Sequence, residues 1–259
     1  MTRNSLAVAM TAGLLFSAIG MMGGAAAQAA EIKVLTSVAL TSALDELAPQ
    51  FERATGNKLN IGYGLIADIR KRIIAGETAD VVILSRPAMD DLQKQDKIAP
   101  GSVTDVVETP VAIAVRAGAP KPDISSADAL KCSLLAAKSI VYADPAKGGA
   151  SGVHFAHVVE QLGIAEQLKS RTILVPGAQA ADVVAKGEAE IGVGQASEIV
   201  PVAGAQLVGP LPGEFGSVTE FTAGIGAGSK ASDAAKSLIQ FLTGPAAAPV
   251  FKSKGLQPG

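Results

Sequence analysis

Short apolar runs alternate with helix-spaced apolar positions along this chain. Residues 32–36, "IKVLT", predict a buried strand. The following "SVALTSALDELAPQFERATG" sets Leu40, Leu44, Leu47 and Phe51 on one helical face that ends near Gly56. "KLNIGY" predicts the next strand, "ADIRKRIIAG" a helix anchored by Ile66, Ile69 and Ile73, and "ADVVILS" a strand apolar on both faces. The alternation continues through "PVAIAVRAG", "SIVYAD", a helix after Gly152, "RTILV", "AADVVAKG" and "EIGVG". A last helix, "DAAKSLIQFLTG", turns Ala235, Leu238, Ile239 and Leu242 inward, with a short turn or helix and a surface tail after it. This pattern predicts an α/β protein whose binding positions collect at the carboxyl ends of its strands.

Two places read as passages between lobes. A new block begins at Pro110 in "VVETPVAIAVRAG", and "GPLPGEFGSVTEFTAGIGAGSK" has the glycine and proline content of a return crossing. The expected division is therefore lobe one from residues 31–109 plus 218–259 and lobe two from 110–217. A single doubly wound domain is the alternative.

The first 29 residues stand apart from this pattern. They have a basic start at Arg3, an apolar centre and the triplet Ala27-Gln28-Ala29, which predicts a secretory signal peptide over 1–29, cleaved before Ala30. The rival is a retained membrane anchor, since Leu6 to Met22 approaches spanning length. Cleavage leaves 230 residues with 21 basic and 24 acidic side chains, a net charge of −3 that gives no footprint for nucleic acid. Cys132 is the only cysteine, so no intramolecular disulfide forms; between leucines in "ADALKCSLLAAK" it reads as a buried packing residue. With aromatics at 3% and no tryptophan, a sugar platform or a cage for a quaternary amine is disfavoured.

Catalytic signatures are weak. The chain contains no G-x-S-x-G elbow, P-loop or Rossmann glycine pattern, and "GIGAGSK" lacks the spacing of a phosphate loop. His154 and His157 could share a helix face, but no third metal ligand is marked. The recurrent feature is different: "TSVALTS", "GYGLIAD", "KGGASGV" and "VPGAQAA" place small residues where strands turn into helices. Bare backbone at a helix start presents unpaired amides and the positive end of the dipole to an anion. Several such turns around one cleft would make a receptor for a small anionic solute. Arg70, early in its helix, could clamp a carboxylate.

Together the segments "IKVLTSVALTSALDELAPQFERATG", "RKRIIAGETADVVILS", "DPAKGGASGV", "AEIGVGQASEI" and "IQFLTGPAAAPVFKSKG" resemble, in this order, the extracellular solute-binding proteins of the molybdate-binding type from bacterial ABC importers. The resemblance spans nearly all of residues 31–259. It implies a type II periplasmic-binding-protein-like fold: two α/β lobes joined by a hinge, with a ligand cleft between them. It also implies a periplasmic location, a small anionic solute, a membrane permease as partner, and no catalytic step. The chain departs from the family's pattern at several contacts. Ala39 stands where a serine usually precedes the helix-opening leucine, Leu65-Ile66-Ala67 where serines are usual, and Gln195 at the tyrosine position; Ser151 remains. The expected ligand site is therefore Ser37, Val38, Ala39, Leu65, Ile66, Ser151, Gly152, Val153 and Gln195, with Arg70 beside it. It would bind a molybdate-like oxyanion or a small organic carboxylate. Neither a cofactor, a metal nor a catalytic residue is expected, and the chain is expected to be a monomer. The alternatives are an exported α/β enzyme acting on a small anion and a noncatalytic exported interaction module.

Overall fold

The computed structural model describes residues 29–259, so the predicted signal peptide lies, but for Ala29, outside the described residues. The chain opens with β1 (Glu31–Ser37), which passes through a tight 3₁₀ turn into α1 (Thr41–Thr55). Then come β2 (Lys58–Gly64), α2 (Ile66–Ile74), β3 (Val81–Ser85), α3 (Arg86–Lys94) and the long β4 (Thr104–Arg116). The middle of the chain supplies α4 (Ala127–Ala136), β5 (Ile140–Ala143), α5 (Ala150–Gln161), α6 (Ala165–Lys169), β6 (Thr172–Val175), α7 (Ala180–Ala185), β7 (Ile191–Gln195) and α8 (Ala196–Ile199). The end supplies β8 (Ala205–Pro210), β9 (Val218–Ile225), α9 (Ser232–Leu242), α10 (Ala248–Ser253) and β10 (Gln257–Pro258).

The strands run in the order β2-β1-β3-β9-β4-β7-β5-β6, with β8 and β10 also on β4. β4 changes partners along its length. Residues 104–110 pair antiparallel with β9, ending at Pro110 opposite Val218, whereas Val111 to Arg116 pair with β7 and β8. The chain thus forms two α/β lobes, and β4 and β9 carry it between them.

Each lobe is a sheet covered on both faces. In the first, Leu44, Leu47 and Phe51 of α1 and Leu238 and Leu242 of α9 pack with Ile32, Val34 and Phe221. The opposite face buries Leu35 and Leu84 under Ile69 of α2 and Met89 of α3. The predicted stripe Leu40, Leu44, Leu47 and Phe51 is at most 2% exposed, and each such side chain contributes about 1.5–3 kcal/mol of burial. In the second lobe, Val111, Ile113 and Ile191 lie under α4, α5 and α6, with Ala112, Ala114 and Val141 facing α7 and α8.

Two local expectations are corrected. Cys132 is exposed. α4 buries Leu130 and Leu134, and a residue two positions from each points to the opposite side of the helix. The C-terminal tail is not a free surface segment: Leu256 is fully buried, and β10 adds to β4 at Val107 and Glu108.

Candidate functional site

Three turns at the carboxyl ends of strands meet between the lobes. At the first, β1 runs through Ser37, Val38 and Ala39; Ser37 Oγ accepts from the Ala39 amide at 3.3 Å. At the second, Leu65 precedes α2, whose first intrahelical bond runs from Ile69 N to the Leu65 carbonyl at 3.0 Å. Ile66, Ala67 and Asp68 therefore keep amides without an intrahelical partner. At the third, α5 begins after Gly149, and its first intrahelical bond runs from Val153 N to Gly149 O at 3.0 Å. This leaves the amides of Ala150, Ser151 and Gly152 free at the positive end of a twelve-residue helix.

These turns line one narrow cavity of about 20 Å³. Ser37, Val38, Ala39, Leu65 and Ile66 come from the first lobe. Ala143, Gly149, Ala150, Ser151, Gly177, Gln195 and Glu198 come from the second. The lobes are close here. Gly148 has φ of 75°, and a Cβ built on it would lie 2.7 Å from Ala67 Cβ across the cleft. Leu65 Cδ2 would lie 3.9 and 3.8 Å from Cβ atoms built at Gly149 and Gly177.

Seven residues expected at the site line this cavity: Ser37, Val38, Ala39, Leu65, Ile66, Ser151 and Gln195. Three do not. Arg70 is ion-paired to Asp91 of α3, so its guanidinium is committed within its own lobe rather than offered to the cleft. Val153 has spent its amide on Gly149 and turns its side chain outward, 38% exposed. Gly152 serves packing: a Cβ there would lie 2.1 Å from the Ala143 carbonyl oxygen, so its side-chain face is pressed against β5 and not turned to the cavity. His154 is likewise engaged elsewhere, its Nε2 lying 2.8 Å from the Phe215 carbonyl oxygen.

Glu198 was missed. It stands three residues after Gln195, at the third position of α8, and its Oε2 accepts from the Gln195 amide at 3.1 Å. The signal was present as the helix-start spacing of "QASE", where a glutamate reaches back to the residue before the helix. The return contact, from the Glu198 amide to the Gln195 side chain, is loose. It leaves Gln195 Oε1 buried without a well-formed partner, while Nε2 donates to Thr219 Oγ1 at 2.9 Å. Glu198 is half-buried by area, but its carboxyl is enclosed by the cavity walls. Burial pushes it up to about 7, against the opposing pull of the Gln195 amide.

The cavity thus offers amides from both lobes, hydroxyls at Ser37 and Ser151, apolar surface at Leu65 and Ile66, and one titratable carboxyl. No group of three or more histidine, cysteine or acidic side chains placed to hold a metal ion occurs among the described residues.

A family model described as bacterial extracellular solute-binding protein matches residues 32–257. Aconitate isomerase from a Pseudomonas species is 34% identical over 233 residues, covering 88% of this chain and 87% of that protein. The molybdate-binding protein ModA of Azotobacter vinelandii is 31% identical over 259 residues, 96% of each. The solved structure of the periplasmic molybdate-binding protein of Azotobacter vinelandii matches with a TM-score of 0.70 at 21% identity, covering 87% of this chain and 98% of that one.

Proposed function

The chain belongs to the bacterial extracellular solute-binding protein family, in its molybdate-binding-like branch, and from that premise we propose that it captures a small organic carboxylate between its lobes and delivers it to an ABC permease. In this reading the protein works in the periplasm, after removal of the signal peptide. Residues 31–109 plus 218–259 and residues 110–217 act as the two halves of the clamp, and β4 and β9 bend between them.

The composition of the cavity wall carries the choice of ligand. A tetrahedral oxyanion leaves water only when most of its oxygens regain donors. Here only Ser37 and Ser151 bring hydroxyls, and Leu65 and Ile66 add apolar surface to the same wall. An organic anion matches such a wall: its carboxylate takes the free amides of α2 and α5, and its carbon frame lies on the two apolar side chains.

Calorimetry on the mature protein, with molybdate, tungstate, sulfate, citrate, succinate and the aconitate isomers, tests the choice. Carboxylates should bind and the oxyanions should not compete at equal concentration. Tight molybdate binding without any carboxylate binding would reverse the assignment.

A second reading is an isomerase acting on a small polycarboxylate. The relative named aconitate isomerase, at 34% identity over most of both chains, favours it. Turnover is tested directly by following cis- and trans-aconitate by proton NMR with purified protein. Interconversion abolished by a cavity substitution would establish this reading over simple capture.

A further inference from the structure

The cavity that would receive an anion is lined by one acidic side chain and no basic one. A fixed negative charge among the amide donors would oppose the ligand they attract. We infer that Glu198 enters the complex protonated, so that its carboxyl donates a hydrogen bond to a ligand oxygen and capture of the anion takes up one proton from solution. This rests on the anion-binding reading above. The balance is simple: a Glu198 carboxylate, a proton and the anion give a neutral carboxyl hydrogen-bonded to the anion, with no other bond made or broken.

The surroundings leave no other way to neutralise the carboxylate. Among the described residues no lysine, arginine or histidine forms an ion pair with it; its one hydrogen bond is the Gln195 amide. α8 packs against β4, β7, β8, α7 and the turn after β1. β7, β8 and that turn carry no titratable side chain. β4 brings Asp105, Glu108 and Arg116, and α7 brings Asp182. Asp105 is paired to Arg86, while Lys254, beside the Gly255 turn that abuts Ala196, is paired to Glu46. Across the cavity, Asp68 and Arg70 of α2, the latter paired to Asp91, and His154 of α5 lie outside the lining, as do Asp144 and Lys147 before α5. None of these charges contributes to the raised titration of Glu198, which comes from burial. A bound anion adds like charge and raises it further.

Calorimetry of the mature protein with trans-aconitate, citrate and molybdate, at pH 6 and pH 8 in buffers of different ionisation heat, reads the proton directly. For a free carboxyl titrating near 7 and a bound one that stays protonated through pH 8, affinity falls about tenfold from pH 6 to pH 8, with uptake approaching one proton at pH 8. E198Q keeps a donor at every pH, so its affinity should change less than about twofold across the same range, with uptake near zero. Ionisation of the ligand is common to both proteins and cancels in the comparison. If E198Q fails to fold, carbon NMR of labelled glutamate carboxyls in the wild type replaces it: one carboxyl should titrate near 7 and shift upward with trans-aconitate. Binding with no proton uptake at pH 8, or no carboxyl titrating above 6, overturns the inference alone. Failure of all three anions to bind overturns the anion-binding reading and this inference with it.

Discussion

Replacing Gly152 by alanine should loosen the protein and blunt the cavity together. The alanine Cβ would lie 2.1 Å from the Ala143 carbonyl oxygen and 2.8 Å from its carbon, and these are backbone atoms that no rotamer change can move aside. α5 must therefore withdraw from β5 by about 1 Å before a normal contact is restored. Overpacking of this kind costs about 1–3 kcal/mol, whereas exchanging glycine for alanine inside a helix returns about 1 kcal/mol of propensity. The net expectation is a loss of up to about 2 kcal/mol, read as a lower urea midpoint with an unchanged slope. The same withdrawal displaces the amides of Ala150 and Ser151 from the cavity. One charge-assisted hydrogen bond is worth about 1.5–3 kcal/mol, so affinity for the bound anion should fall about tenfold or more. A variant as stable as the wild type, with undiminished affinity, would refute the close-packing argument.

Ser151→Ala tests the hydroxyl by itself. Ser151 Oγ makes no hydrogen bond to the protein among the described residues, so urea stability should change by less than about 0.5 kcal/mol while calorimetric affinity drops about five- to tenfold. Arg70→Ala removes an ion pair whose side chains are 43% and 36% exposed; urea stability should barely change and anion affinity should stay within about twofold. Glu77 is held down to about 2 by its hydrogen bond to Arg72 and then by that to Lys33. Its contribution, about 1 kcal/mol, is present above the unfolded value near 4.5 and disappears as pH falls toward 2. The stability gap between wild type and Glu77→Gln, measured by urea unfolding at stepped pH, should accordingly close through that window.

Legibility differed between the scaffold and the site for physical reasons. Helix faces such as Leu44–Leu47–Phe51 and Leu238–Leu242 announce themselves because burial imposes a period on the sequence. The cavity turns were readable because a free helix start requires small residues before it, which is how Ser37 and Ser151 came to be singled out. Arg70 misled because charge at a helix start says nothing of what lies across the next helix; only the fold brings Asp91 of α3 within reach. Glu198 carried a helix-start spacing that reads as a cap. Its second role as a cavity wall arises only when turns distant in the chain converge on it. Gly152 was expected at the ligand site, but the fold presses it against the Ala143 carbonyl, and a sequence does not state which neighbour approaches a helix start.

The strand order of the first lobe has a consequence for how the molecule comes into being. β9 lies between β3 and β4, yet it is made after the whole of the second lobe. Until residues 218–225 emerge, β3 and β4 each present an unpaired edge where an inner strand will later sit, and the helical cover of α9 is also missing. The second lobe, drawn largely from one continuous stretch, suffers no such delay. Synthesis therefore leaves half of the molecule unable to close until its final forty residues arrive. A chain that must cross a membrane before folding would gain from this delay, because its first lobe cannot lock prematurely.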